Sequence, residues 1–282
     1  RAISVPCPVS DGCSNDTFPI SCELTVVFMD IIIAGSDMGV VHVGVDEAGR
    51  GPAIGPLVVC ALSIPIEDRS ILTELGVDDS KKLSKIKREN IHSEIMDIAE
   101  SRDWGIGLIH CDAKSIDLWM ESGTLNSLEV RAFADAILRV TDSSAEFSLF
   151  LDACDVDAGR FGRNVASNLG RGGGGWKIYS RHGMDSEDVV TGAASIIAKV
   201  NRDQAIEDLS EELGIDLGSG YPSDPKTKAA IDGLCRENSP KDCLRRKWKN
   251  VERAWLKHHR KPIPSRATGV PSGVQSALDE WN

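Results

Sequence analysis

An apolar run that ends in two adjacent acids is the feature that most constrains this chain. Residues 40–45 are largely apolar, Asp46 and Glu47 follow, and the glycine-flanked Arg50 comes three residues later. Carboxylates at the end of a buried strand are costly unless a cation neutralises them. A divalent metal ion is the natural candidate, because hard cations bind carboxylate oxygens. The segment 49–51 offers bare backbone N–H groups and a guanidinium, both suited to phosphate or sugar contacts.

Two further acids occupy comparable positions. Asp152 ends the apolar run 147–151, and Asp185 precedes a stretch of small and apolar residues at 193–198. Carboxylates gathered at strand ends could hold two divalent ions about 4 Å apart, an arrangement that cleaves phosphodiesters. Magnesium fits this ligand set better than zinc, since the sequence has no histidine–cysteine cage. A single acid at a strand end is more often a turn or cap residue, so each acid also has a purely structural interpretation.

The hydrophobic pattern predicts a mixed α/β sheet. Apolar runs predict strands at 40–46, 55–64, 104–111, 147–152 and, more weakly, 176–180. Helical periodicity predicts a helix capped by Ser84 that ends near Arg102, a second from Thr124 through Val140, and a third over 187–213. Ile86 and Leu138 are assigned to the apolar faces of the first two. An antiparallel start followed by strand–helix alternation favours a mixed sheet flanked by helices.

Charge is distributed unevenly along the chain. The formal net charge is −11, yet residues 236–261 contain ten lysines and arginines against three acids. A basic C-terminal element on an acidic body suits a protein that binds both metal ions and a nucleic acid. The alternative is an ordinary solvated helix face, and charge alone does not distinguish the two.

The cysteines and the chain ends indicate where the folded part lies. Eight cysteines without a C-x-x-C pair favour a reducing compartment, the cytoplasm, and no disulfide framework. Residues 1–38 show no clear periodicity, and the apolar run 25–34 is too short to span a membrane. We expect translation to start at Met38, so that 1–38 is a disordered or spurious extension. The residues 263–282 read as a flexible tail.

Several motifs together resemble one enzyme family. The segment 43–59, VGVDEAGRGPAIGPLVV, is similar to the first motif of ribonuclease HII in its archaeal and eukaryotic branch. Further segments agree with that family in order along the chain, at 79–83 (DSKKL), 192–203, 218–227 and 240–249. The resemblance covers about residues 40–256. Near the fourth acid the chain departs from the family pattern, with Met184 for Ala, Asp188 and Val189 for Tyr-Pro, and Gly192 for Ser.

The resemblance implies a fold, a division of the chain and a reaction. The fold would be RNase H-like, with a mixed five-stranded sheet flanked by helices and a helical C-terminal region. Residues 39–215 would form the catalytic domain and 216–262 the substrate-binding region. The enzyme would hydrolyse the RNA strand of RNA–DNA hybrids and cut 5′ of embedded ribonucleotides. The products would carry 3′-hydroxyl and 5′-phosphate ends, by a mechanism with two divalent ions, Mg²⁺ or Mn²⁺.

The resemblance also assigns roles to residues. The catalytic and metal-binding acids would be Asp46, Glu47, Asp152 and Asp185. The expected substrate-binding residues are Gly49, Arg50, Gly51, Lys81, Lys199, Tyr221, Arg245 and Arg246. Within this set the two glycines admit the ribose 2′-hydroxyl, the tyrosine stacks on the following sugar, the lysines contact phosphate or the acids, and the two C-terminal arginines grip the duplex backbone.

Two other classes of function stay open at the level of sequence. One is a related metal-dependent nuclease or resolvase that cuts DNA, and the other is a nucleic-acid-binding protein without catalysis. Acids in all four positions favour an enzyme over the second class. The expected partners are RNA–DNA hybrids and DNA with embedded ribonucleotides, and no membrane association is expected. We expect the protein to be monomeric. Whether it binds a replication clamp is left open.

Overall fold

The computed structural model describes four stretches of the chain, 41–77, 83–141, 146–170 and 176–266. Several expectations fall outside these residues and are not tested by the structure. They concern the extension 1–38, Lys81 and the part of the tail beyond residue 266.

Five strands form one mixed sheet in the order β3-β2-β1-β4-β5. The strands are β1 (Val41–Ala48), β2 (Leu57–Pro65), β3 (Gly105–Cys111), β4 (Phe147–Asp152) and β5 (Trp176–Arg181). The pairs β1–β2 and β2–β3 are antiparallel, whereas β1–β4 and β4–β5 are parallel. The mixed α/β sheet predicted from the hydrophobic pattern is therefore confirmed.

The parallel register of β1 and β4 determines where the acids lie. Val41 is opposite Phe147, and the pairing continues to Val45 opposite Leu151. The next residues along the two strands are Asp46 and Asp152. Because parallel strands end at the same edge of a sheet, this register brings the two carboxylates together.

The described part of the chain contains nine α-helices. They are α1 (Arg69–Glu74), α2 (Lys85–Arg102), α3 (Ala113–Trp119), α4 (Leu125–Val140), α5 (Ala158–Asn168), α6 (Met184–Glu187), α7 (Val189–Leu213), α8 (Pro225–Leu234) and α9 (Lys249–His259). The predicted caps of α2 and α4 are confirmed, since Ser84 accepts from the N–H of Lys87 and Thr124 from that of Ser127. The side chain of Asp188 likewise caps α7, which begins two residues later than predicted.

Each face of the sheet is covered by its own helices. One hydrophobic cluster joins the sheet to α4 and α5, and a second joins it to α2 and α7. Helix α7 lies directly on β1 at Gly44, where a Cβ atom would come within 2.3 Å of the backbone nitrogen of Thr191. The predictions for Ile86 and Leu138 are wrong, because these side chains are 72% and 41% exposed.

A third hydrophobic cluster connects the C-terminal helices to the segment after β1. It contains Ala53 and Ile54 together with residues of α8 and α9, including the fully buried Trp255. An isolated bridge pairs Ile54 with Leu244. The C-terminal region is therefore packed against the segment that follows the first two acids. No described helix is both long enough and apolar enough to cross a membrane.

Candidate active site

Three of the four predicted acids meet at the carboxyl-terminal edge of the sheet. Asp46 lies near the end of β1, Asp152 ends β4, and Asp185 lies in the one-turn helix α6. Carboxylate oxygens of the three residues lie within 4.8 Å of one another. Asp46 and Asp185 are each only 4% exposed. We call these three residues the acid cluster.

Local hydrogen bonds orient the acid cluster. Oδ1 of Asp152 accepts the backbone N–H groups of Gly183 at 2.7 Å and Met184 at 3.2 Å. These bonds tie the end of β4 to the start of α6 and so place Asp185 beside Asp152. Oδ1 of Asp46 accepts the backbone N–H of Glu47 at 2.7 Å, and Ser195 of α7 also hydrogen-bonds to Asp46.

The acid cluster is electrostatically strained. Burial raises the pKa of Asp46 well above its ordinary value, and the nearby charges of Glu47 and Asp152 raise it further. The pKa of Asp152 rises to about 6 through burial and the charges of Asp185 and Glu47, although the two backbone N–H groups partly offset this. Oxygen ligands that repel one another in this way are the donor set that Mg²⁺ or Mn²⁺ binds. The residues therefore fit divalent cations.

Glu47 points toward a second group of side chains beside the acid cluster. Its carboxylate lies within 4.8 Å of a carboxylate oxygen of Glu129 and of the Sγ atom of Cys154. Its charge nevertheless raises the pKa of both Asp46 and Asp152. Glu47 thus adjoins the acid cluster while bordering a second, partly acidic corner.

The loop that follows these acids is compact and glycine-dependent. Gly49 has a φ of +95°, and a Cβ atom there would lie 2.5 Å from the carbonyl oxygen of Pro56. At Gly51 a Cβ atom would lie 3.4 Å from the ring of Tyr221, so the predicted tyrosine is adjacent to this loop. We call residues 49–51 the recognition loop. The Tyr221 ring in turn lies 5.0 Å from the guanidinium of Arg202.

The structure corrects the expectation that Arg245 grips a duplex. Its side chain is fully buried and donates to the carbonyl oxygens of Gly49 at 2.6 Å, Arg50 at 3.1 Å and Gly55 at 2.9 Å. Burial lowers the pKa of Arg245 to about 9, so the guanidinium remains charged at neutral pH. A side chain without exposed surface cannot reach a duplex phosphate. Arg245 instead supports the recognition loop from its buried side, through hydrogen bonds to the loop backbone.

Arg246 has a similar supporting role. Its guanidinium donates to the carbonyl oxygens of Pro240 and Pro264, both at 3.1 Å, and 13% of its side chain is exposed. Because part of this side chain is exposed, a contact between Arg246 and the duplex stays a prediction. Lys199 lies on α7 and its Nζ pairs with Asp203 at 2.6 Å. A contact between Lys199 and substrate stays a prediction.

Four neighbouring acids are engaged elsewhere. Asp155 forms an ion pair with Arg160, whose Nη2 lies 2.6 Å from Oδ1, and Asp157 caps α5. Asp188 caps α7 and lies 3.0 Å from His42 Nε2 and 2.9 Å from Arg69. Glu187 pairs with Arg181 at the surface. Asp185, in contrast to these four acids, joins Asp46 and Asp152 in the acid cluster.

Sequence reasoning missed four side chains near the site. They are Asn126, Glu129, Cys154 and Ser195. Glu129 had a usable signal, because it stands one helical turn from Leu125 and from Ala132, on the apolar face of α4. A charged residue on a buried helix face is rare without a partner. The remaining three have no comparable signal in the sequence.

Comparisons with known proteins agree with the geometry. The family model for ribonuclease HII matches residues 43–251. Ribonuclease HII of Methanocella arvoryzae is 41% identical over 208 residues, covering 73% of this chain and 88% of the relative. The crystal structure of ribonuclease H2 from Pyrococcus horikoshii aligns with a TM-score of 0.69 at 32% identity, covering 78% of this chain and 100% of that chain.

A second structural relative comes from a complex. The structure of the PCNA:RNase HII complex from Archaeoglobus fulgidus includes a chain that aligns with a TM-score of 0.64 at 35% identity. The alignment covers 74% of this chain and 95% of that chain. A family model that spans most of the described residues, and relatives matched over nearly their whole length, leave one assignment. This chain belongs to the ribonuclease HII family and is an endoribonuclease that acts on RNA–DNA hybrids.

Proposed function

We propose that this enzyme cuts 5′ of single ribonucleotides embedded in DNA as well as within RNA–DNA hybrids, and leaves 3′-hydroxyl and 5′-phosphate ends. One observation carries this proposal. The acid cluster, with oxygens within 4.8 Å of one another, lies beside a glycine loop that packs on a tyrosine. A site for hydrolysing a phosphodiester thus adjoins a surface that a ribose can approach closely.

In the proposed mechanism the acids act on the reacting phosphate through the metal ions that they bind. Asp46, Glu47, Asp152 and Asp185 are proposed as ligands of two Mg²⁺ or Mn²⁺ ions. When bound, such ions supply an activated water and stabilise the leaving 3′-oxygen. The chain's own contribution is rigidity, since the backbone N–H groups of Gly183 and Met184 fix the Asp152 carboxylate and Ser195 holds Asp46. Fixed ligands need little reorganisation during the reaction.

Recognition of RNA depends on one group, because the 2′-hydroxyl is what distinguishes a ribonucleotide from a deoxyribonucleotide at a given position. The proposed contact to that hydroxyl comes from the backbone of the recognition loop, and glycine at position 49 supplies the φ of +95° that the turn of this loop requires. The Tyr221 ring, next to Gly51, is proposed to stack on the sugar that follows the ribonucleotide. A deoxyribose there would fit better than a ribose, which would give the enzyme a preference for an RNA–DNA junction.

We propose that exposed cations supply most of the contacts to the duplex, since Arg245 is buried and the guanidinium of Arg246 donates to carbonyl oxygens of the chain. Helix α9 presents Lys249, Arg253 and Lys257 on its exposed side, and Arg260 and Lys261 follow it. Contacts from these side chains to phosphates would make binding strongly salt-dependent. The acidic body and this basic helix thus serve different parts of the substrate.

A partner and a location complete the proposal. The relative from Archaeoglobus fulgidus is known in a complex with PCNA, and we extend a sliding-clamp partner to this chain on that similarity. The five described cysteines are free thiols, which accords with a cytoplasmic enzyme. Size-exclusion chromatography of the enzyme with and without the clamp would test the association and the expected monomer.

One cleavage assay tests the central proposal. A duplex with a single ribonucleotide, a uniform RNA–DNA hybrid and an all-DNA duplex are each incubated with Mg²⁺ or Mn²⁺, and products are mapped at single-nucleotide resolution. We expect cuts 5′ of the ribonucleotide and within the hybrid's RNA strand. Cleavage of all-DNA duplex would instead indicate a DNA nuclease. Hybrid binding without cleavage in either metal would indicate a binding protein and contradict the proposed chemistry.

A further inference from the structure

The side chain of Arg50 is anchored to the first turns of α4. Its Nη1 donates to Oε2 of Glu129, and its Nη2 donates to Oδ1 of Asn126 at 2.6 Å. The Arg50 side chain is 36% exposed, whereas that of Glu129 is fully buried. Two nitrogens of the guanidinium are therefore bound by the protein before any substrate arrives.

The buried carboxylate of Glu129 lowers the stability of the folded protein. Burial of a carboxylate without water costs free energy, and the ion pair with Arg50 offsets only part of that cost. Its Oε1 has no hydrogen-bond partner among the described residues. A buried ion pair contributes little more stability than apolar residues of the same volume. The consequence of this pair is the placement of Arg50, more than the stability of α4.

The backbone of the recognition loop is held from another direction. Arg245 donates to the carbonyl oxygens of Gly49 and Arg50, and Nε1 of Trp248 donates to that of Gly51 at 3.2 Å. The C-terminal segment thus holds the loop backbone, while α4 holds its one long side chain. Loss of the second support would leave the loop free to shift relative to the sheet.

Glu129 also adjoins the acids. One of its carboxylate oxygens lies within 4.8 Å of Glu47. The same residue therefore contacts the arginine of the recognition loop and approaches the acid that precedes this loop. A change at Glu129 can alter the distance between the ribose-reading backbone and the reacting phosphate.

We propose that Glu129, together with Asn126, is a positioning residue for ribonucleotide recognition, which uses the Arg50 side chain as an anchor to hold the recognition loop beside the acid cluster. Arg50 is then an internal tether more than a phosphate ligand. The inference rests on the proposed reading of the 2′-hydroxyl by this loop. Glu129 does not touch the reacting atoms and acts through Arg50.

A double-mutant cycle tests this role. We expect Glu129→Met, which fills the same volume without an acceptor, to lower kcat on the single-ribonucleotide duplex at least tenfold at saturating substrate. Glu129→Gln keeps an oxygen for Arg50 and should stay within about threefold of the wild type. The double variant Arg50→Ala/Glu129→Met should be no slower than Arg50→Ala alone, because both remove one tether. Additive losses would overturn the inference.

Two controls separate this role from others. Asp135→Asn alters another α4 carboxylate, one that pairs with Arg131 at the surface, and should leave kcat unchanged. The Mg²⁺ concentration for half-maximal rate should not change in Glu129→Met. An increase would show that Glu129 acts through Glu47 and would overturn the tether.

Folding and the underlying function are checked in the same experiment. If Glu129→Met does not fold, Asn126→Ala replaces it in the cycle, with an expected loss of about threefold that is absent in an Arg50→Ala background. Wild-type enzyme that fails to cut the embedded ribonucleotide would refute the proposed function itself. Wild-type cleavage together with an unaffected Glu129→Met would refute only the tether.

Discussion

Asp46 of the acid cluster and Gly49 of the recognition loop are three positions apart in the sequence, yet the two regions are stabilised in opposite ways. In the acid cluster, burial and mutual repulsion raise the pKa of Asp46 and Asp152, and only a few hydrogen bonds offset this. In the recognition loop, Arg245 satisfies the carbonyl oxygens from below, and the guanidinium of Arg50 is bound by α4. The acid cluster needs bound metal ions to offset its repulsion, whereas the recognition loop is stabilised by arginines of the chain itself.

Because the two regions are stabilised differently, substitutions in one should affect chemistry and substitutions in the other should affect folding. A site that binds metal ions retains repulsion that lowers the stability of the metal-free protein. A loop that must present its backbone to a ribose is built for rigidity, and its supports are part of the fold. Removal of an acid of the acid cluster should therefore reduce activity without unfolding, and removal of Arg245, the buried donor to the loop backbone, should reduce stability first.

The largest expected effect is that of Asp46→Asn on activity. Loss of one metal ligand removes several kcal/mol of transition-state stabilisation, so we expect cleavage of the single-ribonucleotide duplex to fall roughly 10³-fold in Mg²⁺. Thermal unfolding without metal should occur at the same or a higher temperature, since a repelled charge is removed. Asp155→Asn is the matched control, because that acid pairs with Arg160 outside the cluster and should leave activity intact. Full activity of Asp46→Asn would contradict the assignment of the acid cluster as the catalytic metal site.

The opposite behaviour is expected of Arg245→Met. It leaves the carbonyl oxygens of Gly49, Arg50 and Gly55 without their buried donor, at about 1–3 kcal/mol for each unsatisfied group. We expect the free energy of unfolding in urea to fall by about 3 kcal/mol or more. Arg253→Met, on the exposed side of α9, should instead weaken duplex binding with little change in stability. Equal stability of Arg245→Met and wild type, with weaker binding, would restore a phosphate-gripping role.

The arginines show that the sequence alone did not distinguish buried from exposed cations. The charge count in 236–261 predicted a basic surface, and α9 does present one. A count of charges does not reveal which side chain turns inward, and a buried arginine reads like an exposed one. The burial of Arg245 depends on acceptor carbonyls almost two hundred residues away along the chain, which no local pattern encodes.

The sheet was more predictable, because its signals are local. Five apolar runs predicted the five strands, and strands that end in acids placed Asp46 and Asp152 at one edge. Periodicity indicated the direction of a side chain but not whether another element covers it, hence the exposed Ile86 in the first turn of α2. The position of Glu129 on the apolar face of α4 indicated a buried partner, but its identity as Arg50 was not predictable because Arg50 lies on another element.

Tyr221 packs beside the recognition loop, and its truncation should have an intermediate effect. Stacking of a ring on a nucleotide contributes about 1–3 kcal/mol, so Tyr221→Ala should slow cleavage at a single ribonucleotide by about tenfold. Cleavage within a uniform hybrid should fall less, because that substrate has no deoxyribose after the cut. Tyr221→Phe keeps the ring and should match the wild type in both assays. Equal losses on the two substrates would contradict a role in sensing the junction.

The smallest effect concerns the strain of the acid cluster itself. The pKa of Asp152 is raised from 3.8 to about 6 in the folded protein, so the folded state holds this proton more tightly than the unfolded chain. The resulting stability is complete below about pH 4 and is lost as the pH rises through about 6. In EDTA, the free energy of unfolding of the wild type should therefore decrease by about 1 kcal/mol more between pH 5 and pH 7.5 than that of Asp152→Asn.

Saturating Mg²⁺ should reverse this dependence at the higher pH, because an ion that binds only the folded state stabilises it and prefers the ionised carboxylates. Unfolding curves of wild type and Asp152→Asn, measured with and without Mg²⁺, separate the two contributions. Identical pH profiles for the two proteins in EDTA would mean that the acid cluster is not strained. Such a result would contradict the proposed electrostatic difference between the acid cluster and the recognition loop.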